Sequence, residues 1–171
     1  MIKKFIVVND KMQTNYRYAL TAPIGSDFDP EFKPELSPKE MLEMGVFGGR
    51  YMRDCKNEFP LDWFAKAKFH DKNQTGHNEK LNYFEVDASQ PLKVWQENGW
   101  INDSDPRGWF QWYCRYYMGR RIEDDKRQIK RWKAMKRHVA QITHNCSPKD
   151  ITCRKKQRQA LLHWAYDSRK I

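Results

Sequence analysis

Asp105-Pro106-Arg107-Gly108-Trp109-Phe110-Gln111-Trp112-Tyr113-Cys114-Arg115-Tyr116-Tyr117-Met118-Gly119-Arg120-Arg121 is the densest stretch of this chain. Asp105 suits a helix N-cap and Pro106 the first helical position, so a helix is predicted from 106 to about 118, with Gly119 as its stop. On such a helix Trp109, Trp112 and Tyr116 share one face, and Phe110, Cys114 and Tyr117 another. Arg107, Gln111 and Arg115 lie four apart and form the one polar stripe. A helix apolar on most sides is normally buried. One reading is therefore a central core helix with packed rings. A sharper reading puts the stripe in a cleft, where its three side chains hydrogen-bond phosphates or a base edge. The two are compatible. A buried arginine is costly unless paired, so each one calls for an internal carboxylate or an incoming anion. Asp54 and Glu58 are the internal candidates.

C-terminal to this stretch the chain becomes strongly basic. Residues 122–143 are predicted as one long helix, the longest of the chain. Its apolar seam runs through Ile129, Trp132, Met135 or Lys136, Val139 and Ile142. Lys126, Lys130, Lys133 and Arg137 line up away from that seam, and no acid occurs between Asp125 and Asp150. Like charges at four-residue spacing destabilise a free helix by about a few tenths of a kcal/mol per pair. Phosphates would compensate, whereas an ordinary solvated face would mix signs. The expected nucleic-acid surface thus comprises these four with Arg120, Arg121, Arg127 and Arg131, continued by Arg154 and Arg158 on a last helix from about Arg154 to Tyr166. Arg107, Gln111 and Arg115 would sit near its centre. Glu123, Asp124 and Asp125 need no catalytic role, because they fall at the positive end of the 122–143 helix.

N-terminal to it the signals are shorter. Ser37-Pro38-Lys39-Glu40 reads as a capping box with proline at the first helical position. Short helices are expected over Arg50 to Cys55, from Pro60 through Phe64, and from Ser89-Gln90-Pro91 to Asn98-Gly99. Residues 81–86 fit a short strand. Residues 1–9 read as a strand or extended arm, and 10–36, with Pro23, Gly25, Pro30 and Pro34, as an irregular segment. The fold class expected is mainly α: a compact helical domain over 37–171 with a short extended or strand segment over 1–36.

The charge follows the same division. Of 32 basic and 22 acidic side chains, residues 106–171 hold 18 and 5, and residues 1–105 hold 14 and 17. The positive field therefore belongs to the last third of the chain, as for a surface with a polyanionic partner. Aromatic residues make up 14% of the chain, enough apolar area to argue against disorder. The four apolar residues after Lys4 are too few for a secretory core, and no run is long enough to span a membrane. Four scattered cysteines make no dense framework, so a reducing intracellular compartment, cytoplasmic or nucleoid and nuclear, is the default.

Three further constellations bear on chemistry. His144, Cys146, Cys153 and His163 invite a zinc site, but the six-residue gap between the cysteines is wide for a ligand pair. Convergence of the two cysteines across the Ser147–Thr152 turn would favour zinc, but packed thiols are the expectation, with no metal and no cofactor. Arg50 and Asp54, with Arg107, Gln111, Arg115 and His163, would make the polar centre of an enzyme of base or backbone processing. Gly45-Val46-Phe47-Gly48-Gly49-Arg50 lacks the Lys-Ser/Thr of a phosphate-binding loop and reads as a turn between helices. The DPRGWFQWYCRYYMGRR run, with RQIKRW and RQALLHWAYD, resembles a family of small basic proteins of bacteria, viruses and fungi with no established activity. The resemblance covers about residues 37–171. It implies that Asp105–Trp132 is the functional centre, and it implies no reaction. The reading reached is a nucleic-acid-binding protein, with the processing enzyme as its rival. A third option is an adaptor whose basic half meets an acidic protein.

Overall fold

The computed structural model describes residues 4–47, 52, 54–68, 79–88 and 92–171. Its regular structure is one two-stranded antiparallel sheet and six α-helices, joined by single 3-10 turns. Strands β1 (Lys4–Val8) and β2 (Tyr16–Leu20) pair with Ile6 opposite Tyr18 and Val8 opposite Tyr16. Alternation decides their faces. Val8 and Tyr18 are buried, whereas Phe5 and Val7 are exposed and Arg17 lies over the Phe5 ring on the outside.

The N-terminal stretch is no detached arm. The Thr21 and Ala22 amides both donate to the Gly119 carbonyl, and Gly25 donates to that of Tyr117. Gly119 closes the central helix with φ of 120°, and a Cβ there would meet the Ala22 carbonyl oxygen at 2.0 Å. Only glycine allows both the backbone angle and the approach. Phe32, expected in an irregular segment, packs against Trp109, Trp112, Tyr113, Tyr116 and Trp132. Segment 10–36 thus holds a strand and supplies part of the core.

Helix α1 (Pro38–Glu43) starts as its sequence requires. The Ser37 hydroxyl accepts from the Glu40 amide, and the Glu40 carboxylate accepts from that of Ser37. Helix α2 spans Leu92–Glu97. Helix α3 (Trp109–Met118) is enclosed nearly throughout, with Trp112 and Cys114 fully buried. It begins later than predicted. Gly108, with φ of 97°, is its N-cap, and Asp105 serves the interior instead of capping.

The long basic helix is broken into α4 (Asp125–Ala134) and α5 (Lys136–Asn145). The break has a chemical cause. The Tyr166 hydroxyl donates to the Trp132 carbonyl at 2.6 Å, and the Met135 amide closes on that same oxygen with a 3-10 bond. The Trp132 ring stacks on Tyr166 at 4.9 Å. Helix α6 (Lys155–Leu162) ends four residues before the predicted limit. The 60–64 helix is a single turn over Leu61–Trp63. The strand expected at 81–86 does not form, because the Asn82 side chain bonds both the amide and the carbonyl of Val86 and folds the segment into a turn. The helix expected over Arg50–Cys55 falls largely outside the described residues.

Candidate functional site

The polar stripe of α3 faces inward and is answered from within. Arg115 is fully buried, and five hydrogen bonds match its five N–H groups. Nε and Nη2 form a fork on Glu58 at 2.7 and 2.9 Å. Nη1 reaches Asp105 Oδ1 at 3.0 Å and the Ser104 carbonyl at 2.7 Å, and Nη2 reaches Gln13 Oε1 at 2.9 Å. Burial alone would lower this pKa; the hydrogen bond and charge of Glu58, with the charge of Asp105, outweigh it and hold the guanidinium charged.

Arg120 shares the second carboxylate. Its Nη1 and Nη2 meet Asp105 Oδ1 and Oδ2 at 2.9 and 2.6 Å, and Nη1 also reaches the Tyr16 hydroxyl at 3.0 Å. The Tyr18 hydroxyl donates to Glu58 at 2.6 Å, and burial followed by the Glu58 charge drives its pKa up. The two acids are thus clamped by two guanidiniums and the Tyr18 hydroxyl. Neither carboxylate is open to take a proton from a substrate.

Arg107 donates to Asp54 at 2.7 Å and lies 3.5 Å from Asp10. Its backbone amide donates to Gln111 Oε1 at 3.0 Å. Gln111 Nε2 is buried with no hydrogen-bond partner among the described residues. Asp54 and Glu58 are therefore the carboxylates that Arg107 and Arg115 meet. Arg50, the other member of the expected polar centre, lies outside the described residues. His163 contacts Phe47, with ring centroids 5.0 Å apart, and so stands with a different cluster.

The expected phosphate ligands divide in two. Arg107, Gln111, Arg115, Arg120 and Arg158 are buried. In place of a cleft for the first three and a surface for the last two, the four arginines meet internal partners. Arg158, for example, donates to the carbonyls of Cys153, Ser168 and Ile171. Arg121 is held over the Tyr116 ring at 3.8 Å and by the carbonyls of Tyr116, Arg120, Ser26 and Asp27. Arg127 pairs with Asp124, and Lys133 with Glu31 at 3.1 Å. Lys126, Lys130, Arg137 and Arg154 are exposed and meet no carboxylate within 4.0 Å among the described residues. Lys136, Lys155 and Lys156, which fall in the same basic runs of 120–137 and 154–158, are in the same condition.

The cysteines also depart from expectation. Cys146 and Cys153 form a disulfide across the turn, with Cα atoms 5.9 Å apart. They are not packed thiols, and the bond removes two ligands that a zinc site would need. The reducing default drawn from the cysteine count finds no support in it. Cys55 and Cys114 are free and buried. Burial pushes the Cys55 thiol up to about 12 and that of Cys114 well above its ordinary value, which makes both poor nucleophiles. Among the described residues no group of three His, Cys, Asp or Glu side chains is placed to hold a metal ion, and no helix is long and apolar enough to cross a membrane.

With this geometry in hand, no family model, no curated protein and no solved structure matches the chain.

Proposed function

We propose that this chain binds nucleic acid through the outer faces of α4, α5 and α6, with the enclosed arginine network as the frame that holds them. One observation carries the reading: among the described residues, exposed cations on all three helices stand without acid partners, whereas Arg107, Arg115 and Arg120 are paired inside. An ordinary solvated surface interleaves signs, whereas a phosphate-binding one concentrates a single sign. Arg121, Arg127 and Lys133 flank this face but are already engaged. Lys126, Lys130, Arg137 and Arg154 are its working cations.

DNA is the first polymer to test, with RNA and an acidic protein as comparators. Retention of labelled duplex should be measured by anisotropy over a range of salt. The logarithm of the affinity should fall linearly with the logarithm of the salt concentration, because bound counterions are released. Replacing Lys126, Lys130, Lys133 and Arg137 by Ala should weaken binding and reduce the slope by about one for each phosphate no longer neutralised. Binding that is absent at low salt, or unchanged in this variant, would remove the reading. Preference for an acidic protein over every nucleic acid would favour the adaptor.

A further inference from the structure

Where α4 and α6 meet the start of α3, a cleft of about 330 Å³ opens to the surface. That volume falls at the small-molecule end of ligand pockets. Its walls are rings: Phe47, Trp95, Trp109, Phe110 and Trp164, with the exposed Trp100 beside them. Trp109 and Trp164 lie 4.8 Å apart at 38°, and Phe47 and Phe110 lie 4.5 Å apart. Gly108 forms part of the lining, and a Cβ there would come within 3.1 Å of the Trp95 ring. The glycine lets the backbone pass beneath that ring.

Arg131 comes from α4 and Lys156 from α6, and among the described residues no Asp or Glu lines the cleft. The Arg131 guanidinium lies 5.2 Å from the Trp164 ring centre. Nη1 donates to the Trp100 carbonyl at 3.1 Å and to Gln128 Oε1 at 2.9 Å. Arg131 has no carboxylate within 4.0 Å among the described residues, in contrast to Arg107, Arg115 and Arg120. Burial, and then the charge of Arg127, lower its pKa, and the charge of Asp124 offsets them only in part. A half-buried cation whose direct hydrogen bonds go to neutral acceptors has room for an anion.

We propose that this cleft takes a single unstacked nucleotide, its base against the ring wall and its phosphate on Arg131 and Lys156. Rings that stack a flat base and a guanidinium that meets its phosphate are the two elements of single-strand recognition. The cleft adjoins the basic face, since Arg131 follows Lys130 on α4 and Lys156 follows Lys155 on α6. A strand lying on that face has a short path into it. As regards a strand as the source, the inference rests on the proposed nucleic-acid interface; a free mononucleotide offers the same chemistry.

Four probes separate these cases: a short single strand, a wholly abasic strand of equal length, deoxyadenosine monophosphate, and a duplex. Affinity for the intact strand should exceed that for the abasic one by roughly tenfold, the scale of one stacked base. Trp100→Ala should abolish that preference and leave duplex binding unchanged, and Arg131→Gln should abolish the preference as well. Lys156→Gln, at an exposed side chain, should weaken the intact strand without risk to the fold. Binding of the monophosphate, lost in Arg131→Gln, would identify a free nucleotide as occupant even if the duplex does not bind. Equal affinity for intact and abasic strands together with no binding of the monophosphate would overturn the cleft proposal and leave the basic face standing. Failure of all four probes would overturn both.

Discussion

Arg115 and Lys130 sit fifteen positions apart and live under opposite rules. The interior around α3 gives each guanidinium its acid. Arg115 meets Glu58 and Asp105, Arg120 shares Asp105, and Asp54 meets Arg107. Among the described residues, the outer faces of α4, α5 and α6 give Lys130, Arg137 and Arg154 none. Charge in a low-dielectric interior is tolerated only when balanced, and charge in water is screened whether balanced or not. The formal excess of positive charge therefore collects outside, where a polyanion can reach it. A cation's meaning is set by its surroundings more than by its residue type.

The comparison breaks most visibly at Arg115. Removing one partner of a buried ion pair leaves the other charge stranded, at a cost of about 3–5 kcal/mol. Arg115→Ala should therefore lower stability by that much in urea titration, and Glu58→Gln should do damage of the same kind. The double variant should be less damaged than the two losses added, because the stranded charge is gone. Additive losses would show that the fork on Glu58 contributes little.

Trp112→Ala comes next. The ring is fully buried, it packs against Phe32 and Tyr116, and its Nε1 donates to Asp125 at 2.8 Å. Cavity formation alone costs roughly 3–5 kcal/mol for a large aromatic. Intact stability with lost nucleic-acid binding would instead make Trp112 a stacking platform.

Much of this interior is legible in the residues, and the limits of that legibility are physical. The ring periodicity of 109–117 predicts a buried helix, and the cost of burying Arg107 and Arg115 predicts that acids must meet them. Ser37-Pro38-Lys39-Glu40 carries its whole cap locally, so it reads correctly. Asp105 misleads because Asp-Pro favours a cap, and only the fold brings two guanidiniums to its carboxylate. Gln13, Tyr16 and Tyr18 join the network from across the chain, and no local pattern announces that. The break at Met135 is equally remote in origin, since it depends on the Tyr166 hydroxyl. The aromatic cleft is assembled from five separate segments, and in the sequence its rings read as ordinary core.

Tyr166→Phe sharpens the comparison at the junction of the two regions. It deletes the hydroxyl that bonds the Trp132 carbonyl and keeps the stacked ring. A single internal hydrogen bond contributes about 0.5–1.5 kcal/mol. The loss should lie in that range, smaller than at Arg115 or Trp112. Hydrogen exchange should rise at the α4–α5 junction before it rises in α3. Uniform change along the chain would mean that the bond does not set the break.

The smallest effect should carry the opposite sign. Lys130 lies four residues after Lys126 and three before Lys133, all on α4, and it has no acid partner among the described residues. Like charges at these spacings repel by about a few tenths of a kcal/mol per pair. Exposed substitutions otherwise change stability by less than about 0.5 kcal/mol. Lys130→Gln keeps helix propensity and deletes one charge. It should therefore raise the melting temperature slightly at low salt. The gain should vanish in high salt, where the Debye length falls to about 3 Å and the repulsion is already screened. Lys133→Gln is the control on the same helix. It loses the exposed pair with Glu31, an interaction that contributes about 0–1 kcal/mol, so relief and loss should roughly cancel. A drop in stability for Lys130→Gln would mean that this cation has an internal role after all. The distinction between paired interior and unpaired surface would then fail at the position where it is drawn most sharply.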